Sequence, residues 1–453
     1  MSGAGVRGLV AIRGEVGSIV SLGVPIVAGL SASTLLGVTD SIMLAPLGPV
    51  PLAAVGITNA VAVILYAAIY GVLSALSVRI GAAWGGGRGL AIPSILRGGL
   101  TLGALVGALG AVAMLAVWPL LPFLGQPDEV LRAMFAYYVT IALLMIPFSV
   151  LTVFKAAFEA VDRPWLGTGF AMLAVVINIP LNYGLIWGIG VLPELGLTGA
   201  GVATLVAESL ALLAAWLYWL RAPSMRRLRL RRSLDWREVR ATAAEGAPLG
   251  LMYVAETGAM AVATLMIGVF GTVALAGNQV AMSVGGLLYM VPLGVAGAVA
   301  IRVAQARGAE EADRLRPITW AALAVASFWL VGAAAVLAIH GEAIAAAITT
   351  DAAVIVVATQ IFLVFAVSQV ADGVQSTITG ALRGLSDVRF AAVASMVAYW
   401  LLGIPLGWML AHWAGFGPAG IWLGFVIGLA LASVALVRRF LSITRLPAAF
   451  GAV

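Results

Sequence analysis

Four acidic residues fall inside long apolar runs of this chain: Asp40 in LLGVTDSIML, Glu208 in LVAESLALL, Glu256 in LMYVAETGAMAVATLM and Asp372 in VSQVADGVQSTIT. An ionised acid at the centre of a bilayer costs about 2.5–3.5 kcal/mol on insertion scales, so such a group is protonated, hydrated, paired or bound to a mobile cation. The sequence places no arginine or lysine at the same depth. Acids without fixed bases suit a pathway that handles Na+ or H+. Asp372 carries the strongest signal. Ser368, Gln369, Gln375, Ser376 and Thr379 stand at −4, −3, +3, +4 and +7 from it, on one face of a helix. One polar stripe in an apolar span reads as the wall of a watery cavity; the alternative is hydrogen bonding between helices.

Glu256 has Tyr253 about one turn before it and Met260 one turn after it. It is either a cavity acid or a protonated acid bonded to a neighbouring helix. Asp40 lies nearer the outer end of its run, where capping the following turn competes with a cation-binding role. Glu208 has no polar stripe around it and reads as structural or as snorkelling to the surface. Asn178 and Asn182 form an i, i+4 pair in VVINIPLNYGLIWG, with Pro180 between them removing one helix hydrogen bond. They supply polar atoms without charge, either to a kink or to transport. Gln279 and Tyr289 share another span, and a tyrosine ring offers its face to a cation as well as to packing. Methionines would line an adaptable cavity or pack helices. The absence of cysteine excludes disulfides and thiolate chemistry, and two histidines, His340 and His412, are too few for a histidine metal cluster.

The elements that hold these residues are membrane spans. Of 453 residues, 62% are hydrophobic and 10% charged, and mean hydropathy is +1.10. Soluble domains are about a quarter charged, so an ordinary soluble enzyme, a disordered chain and a nucleic-acid binder are excluded. With about 20 residues per span, apolar runs fall at 17–43, 51–79, 94–120, 132–157, 166–190, 198–220, 242–267, 272–301, 316–339, 354–381, 390–412 and 418–438. The expected fold is therefore all-α and integral to the membrane. The N-terminal stretch has too short an apolar run between Arg7 and Arg13 for a signal peptide.

With the N-terminus inside, 24 of the 25 basic residues lie on the inner side and only Arg132 lies outside. That asymmetry follows the positive-inside rule, and a wrong number of spans would scramble it. Both termini are expected in the cytoplasm. The formal charge of +6 then records topology, and Lys155, the one lysine beside 24 arginines, reads as codon usage. A basic segment at 221–241 is expected to tether an N-lobe (1–220) to a C-lobe (242–453) along anionic headgroups. A shift of 223 aligns residues 25–79 with 248–302 without a gap. Pro25 meets Pro248, Gly48 meets Gly271, Tyr66 meets Tyr289 and Arg79 meets Arg302. Two six-span lobes starting on the same side have a pseudo-twofold axis along the membrane normal, as in parallel-repeat transporters.

The runs TDSIMLAPLG and LAAVG, NIPLNYGLIWG followed by LPELGLTGAGVAT, and QVADGVQSTITGALRGLSDVR resemble the multidrug and toxic compound extrusion (MATE) family, in its NorM-type branch. The resemblance covers nearly the whole chain. It implies twelve spans in two lobes, no enzymatic activity, and an antiporter in which Na+ or H+ enters as lipophilic, mostly cationic drugs leave. Residue by residue, it makes Glu256 and Asp372 the C-lobe cation acids, Tyr289 their aromatic neighbour and Asp40 the N-lobe acid. It puts Gln279 and Asp351 near the drug cavity, where the sequence also places Asn178, Asn182, Gln369, Gln375 and Met260. Another branch has an aspartate where this chain has Asn182, and the departure favours the C-lobe acids. The implied setting is a bacterial inner membrane, as a monomer among lipids, with no cofactor beyond the coupling ion and no nucleic acid. The alternative function is a lipid or glycolipid flippase of related fold. Anionic headgroups would want arginines in the cavity, and none is visible in the sequence.

Overall fold

A computed structural model describes residues 3–125, 127–190, 192–228 and 235–445. Part of the expected basic linker, 229–234 with Arg229, Arg231 and Arg232, lies outside the described residues. Among the described residues, twelve helices are long and apolar enough to cross a membrane, and they overlap the twelve expected spans, most of them running longer while the fifth ends at Trp187. The first half holds α1 (Gly3–Leu44), α2 (Pro49–Gly85), α3 (Ile92–Val117), α4 (Asp128–Ala160), α5 (Pro164–Trp187) and α6 (Gly196–Arg221). The second holds α7 (Trp236–Gly268), α8 (Thr272–Gly308), α9 (Ala312–Ile348) and α10 (Ala352–Gly384). Its eleventh span is broken into α11 (Val388–Met396), a π-helical stretch (Val397–Gly403) and α12 (Ile404–His412), before α13 (Gly417–Ile443). Large apolar side chains point outward along these helices, such as Phe328 at 87% and Ile339 at 74% exposure. In water this surface would drive aggregation; in lipid it is the expected outer face.

The uncharged turn APLGPVP is made by glycine. Gly48 ends a short 3-10 turn with φ +102°, and Gly271 stands before α8 with φ +100°. An L side chain is strained there, so the residues paired by the 223 shift perform the same turn in both halves.

The chain forms two compact units, Ala28–Gly250 and Met1–Val27 with Leu251–Val453. The divisions between these units fall inside α1 and α7. Each helix carries a proline two residues before its division, Pro25 and Pro248. Proline leaves the carbonyl four residues earlier without its helix partner, which makes these the softest points of two long helices.

Within the unit Ala28–Gly250, the first part of α7 lies against α2. A Cβ on Gly246 would stand 2.0 Å from the Val72 carbonyl oxygen, so only glycine permits the approach. Arg79 closes the contact by donating to Glu245 at 2.7 Å and Glu238 at 2.6 Å. Phe154, Phe158 and Trp219 stack in the core of this unit. The other unit repeats the device with its own residues. A Cβ on Gly294 would meet Val27 Cγ2, and Arg302, the counterpart of Arg79, donates to the Ser18 carbonyl at 3.4 Å.

Candidate functional site

The unit Ala28–Gly250 gathers its polar side chains around Asp40. Asp40 is buried near the end of α1, Asn178 and Asn182 are fully buried on α5, and Thr204 is buried on α6. The i, i+4 spacing puts both asparagines on one face. Asn182 Nδ2 donates to Asp40 Oδ1 and, at 3.1 Å, to Asn178 Oδ1. Asn178 Nδ2 donates to Thr204 Oγ1 at 3.0 Å, and Thr204 Oγ1 lies 3.1 Å from Asp40 Oδ2. Thr204 was not singled out in the sequence, although it stands in the run LPELGLTGAGVAT. Among the described residues the buried Asn182 Oδ1 has no hydrogen-bond partner. A buried amide oxygen without a donor is costly, and it lies in a cluster whose other acceptors are a carboxylate, an amide and a hydroxyl. Oxygen donors of this kind suit a hard cation.

The same unit has an open apolar recess of about 580 Å³ lined by Ile42, Met43, Pro46, Tyr183 and Trp187. Ile42 and Met43 follow Asp40 in α1, and Tyr183 follows Asn182 in α5, so a lipophilic surface adjoins the acid along two helices.

The second unit gathers around Glu256. Glu256 on α7 is buried, and two phenols donate to its Oε1: Tyr399 at 3.2 Å and Tyr289 at 3.4 Å. Asp372 on α10 lies close enough to act electrostatically on both Glu256 and Tyr289, and it accepts from Ser368 Oγ at 3.2 Å. Two carboxylates in one apolar site repel each other, so a proton or cation shared between them relieves the site.

The polar stripe of α10 is buried along its length: Ser368, Gln369, Gln375, Ser376 and Thr379 are all less than 9% exposed. Gln375 spends its amide on Ser395 Oγ of α11 at 3.0 Å. Met260 lies one turn past Glu256 and is half-buried, whereas Gln279 is exposed on α8. Asp351 caps α10, accepting from the backbone N–H groups of Ala353 at 2.9 Å and Val354 at 3.3 Å. His340 and His412 are exposed, and His412 stacks on Trp408.

Three charged side chains lie deeper than their sequence positions suggest. Glu208 does not reach the surface; it is 8% exposed, one turn past Thr204 on α6. It has a base within electrostatic reach, because the Lys155 ammonium acts on it. Lys155 is therefore placed by structure as well as by codon usage. Its side chain runs between Gly29 and Gly167, where a Cβ would stand 2.9 Å from Nζ or 3.0 Å from Cγ. In the second unit the buried Arg383 lies beside Tyr253, three residues before Glu256, and donates to the Ala296 carbonyl at 3.2 Å. Sequence depth locates the Cα, but a long basic side chain carries its charge several ångströms along the helix.

Among the described residues, twelve apolar helices in two repeated halves, each with a buried acid bonded only by neutral donors, define a multi-pass membrane transporter. The chain belongs to the MatE family: its sequence model matches residues 25–184 and again 248–409, the two starts 223 residues apart. This is a family of transporters, not of enzymes. A probable multidrug resistance protein NorM of Deinococcus radiodurans is 33% identical over 95% of this chain and 96% of its own length. The multidrug resistance protein PmpM of Pseudomonas aeruginosa is 30% identical over 96% of this chain and 92% of its own. The Vibrio cholerae MATE transporter VcmN in its bent form has the same fold, with a TM-score of 0.86 at 19% identity over 97% of this chain and 99% of that one.

Proposed function

We propose that the protein is a cation-coupled antiporter that exports lipophilic, mostly cationic compounds by alternating access of its two halves. The observation that carries this reading is the acid inventory: Asp40, Glu256 and Asp372 are held in apolar helices by hydroxyl and amide donors, with no arginine or lysine among the described residues bonded to them. Such sites accept a proton or Na+ and repel anions. The recess with Tyr183 and Trp187 supports the substrate class, because aromatic faces hold flat cations without a fixed hydrogen-bond pattern. The curated relatives named as multidrug resistance proteins support it as well.

Energetics favour more than one coupling ion. A membrane potential of 100 mV supplies about 2.3 kcal/mol per charge moved. One monovalent drug exchanged for one monovalent ion moves no net charge and draws only on the ion gradient. Two acid clusters, one per unit, provide room for a second ion that recruits the potential.

The test is dye efflux from cells lacking their own pumps, at two external pH values and two Na+ concentrations. Export of several unrelated lipophilic cations that responds to one of the ions is expected. Efflux indifferent to both ions, or movement of an anionic lipid with no cation exported, sinks the reading in favour of a flippase.

The same proposal sets both termini in the cytoplasm of a bacterial inner membrane, on the distribution of basic residues. Cysteine labelling is clean because the chain has none of its own. A cysteine at the exposed position Arg226 should react only after the membrane is permeabilised, and labelling in intact cells contradicts the orientation.

A further inference from the structure

The eleventh span contains a π-helical stretch, Val397–Gly403. Short π stretches are rare and widen a helix by one residue, shifting the face presented by everything before them. Here the cause is local. Pro405 cannot bond to the Leu401 carbonyl, and its ring would press on that carbonyl in a regular α-helix. The backbone answers by bonding Ile404 N–H to the Tyr399 carbonyl, five residues back. The neighbouring helix is shaped to receive the wider turn. A Cβ on Gly428 of α13 would stand 2.3 Å from the Ala398 carbonyl oxygen, and one on Gly424 would stand 2.5 Å from the Gly403 carbonyl oxygen. Side chains there would push the π stretch off α13.

The widened turn aims two consecutive side chains at α7. Trp400 Nε1 donates to the Ala255 carbonyl at 2.8 Å, and Tyr399 Oη donates to Glu256 Oε1 at 3.2 Å. One turn earlier, Ser395 accepts from Gln375, three residues after Asp372 on α10. This span is therefore bonded to both helices that carry the acids of its unit. Phe425 packs against the Tyr399 ring, with centroids 5.9 Å apart.

We propose that Tyr399 is a cation-site residue of the second unit and that the π stretch is the device that places it there. The phenol donates to Glu256 Oε1. When the coupling ion is Na+, the phenol turns its proton away and presents an oxygen beside the two carboxylates. When the ion is a proton, the phenol keeps Oε1 hydrogen-bonded and leaves Oε2 to be protonated. In either case the number of donors on Glu256 sets the ion concentration at which the site fills, and the π stretch carries that change to α12 and α13.

This inference rests on the proposed coupling at Glu256 and Asp372, and the test separates the two. Full-length protein is purified as wild type, Tyr399→Phe, Gly428→Ala and Glu256→Gln. Each is titrated with NaCl and with pH, reading dye export in vesicles and the rise in Tm that ion binding confers by mass action. Tyr399→Phe keeps the ring on Phe425 and removes only the hydroxyl. A hydrogen bond to a charged group is lost, so the half-maximal ion concentration should move by roughly tenfold or more, with Tm in the absence of ion little changed. Gly428→Ala, which touches neither acid, should shift the same ion dependence in the same direction by displacing the π stretch. Ion dependence equal to wild type in both variants, while Glu256→Gln loses it, overturns the role of Tyr399 alone. If Glu256→Gln also keeps wild-type ion dependence, the coupling site itself is wrong.

Discussion

Glu256→Gln and Asp372→Asn should each sharply reduce ion-coupled export while the protein still inserts and folds. Both carboxyls are replaced by amides of nearly the same shape, and neutralisation removes a desolvation cost. Membrane content should therefore equal that of wild type. What disappears is the group whose charge an ion cancels. Coupling energies between sites typically run from 1 to 3 kcal/mol, so the ion-dependent part of export should fall by about 5- to 150-fold. The competing view treats the two acids as hydrogen-bonding glue between α7, α10 and the eleventh span. On that view the variants lower Tm and leave the ion dependence of export intact. Measuring Tm and efflux on the same preparations separates the two outcomes.

Asp40→Asn should behave differently, because its neighbours already fill the site with donors. Asn182 Nδ2 donates to Asp40, and Thr204 Oγ1 stands beside its other oxygen. An asparagine at position 40 brings a second NH2 group toward these donors. The bonds from Asn182 and Thr204 lose their charged acceptor and Thr204 must turn its hydroxyl to accept, at a cost of about 1–3 kcal/mol. Both export and Tm should fall. The double variant Asp40→Asn with Asn182→Asp returns the carboxylate to the cluster from the other helix and restores the donor–acceptor match. Its Tm should recover toward wild type; recovery of export as well would show that the cluster needs a charge but not a particular helix to carry it. A double variant no more stable than Asp40→Asn alone contradicts the hydrogen-bond pattern on which the prediction stands.

Much of this architecture is visible in one sequence because lipid imposes strict rules. Twelve apolar runs could be counted, and the 223-residue shift paired Gly48 with Gly271 and Pro25 with Pro248 before any contact was known. The i, i+4 spacing of Asn178 and Asn182 already placed them together. What it could not reveal was their partner, since Thr204 joins from another helix and carries no local pattern. Tyr399 was hidden for a sharper reason. Face assignments assume 3.6 residues per turn, and the π stretch breaks that phase just where Tyr399 meets α7; the readable sign was Pro405 in the middle of a span. The charges were misjudged through reach. Lys155 starts near a helix end, but its side chain runs through a slot left by Gly29 and Gly167 toward Glu208.

The coupling of cation entry to cation export is tested most directly in proteoliposomes containing the purified protein and a fluorescent lipophilic cation, with a Na+ gradient and a proton gradient imposed in separate experiments at fixed membrane potential. At least one gradient alone should drive the dye against its own concentration difference, and collapse of that gradient should stop transport at once. Dye that only equilibrates under both gradients, at the rate seen in protein-free vesicles, contradicts the account.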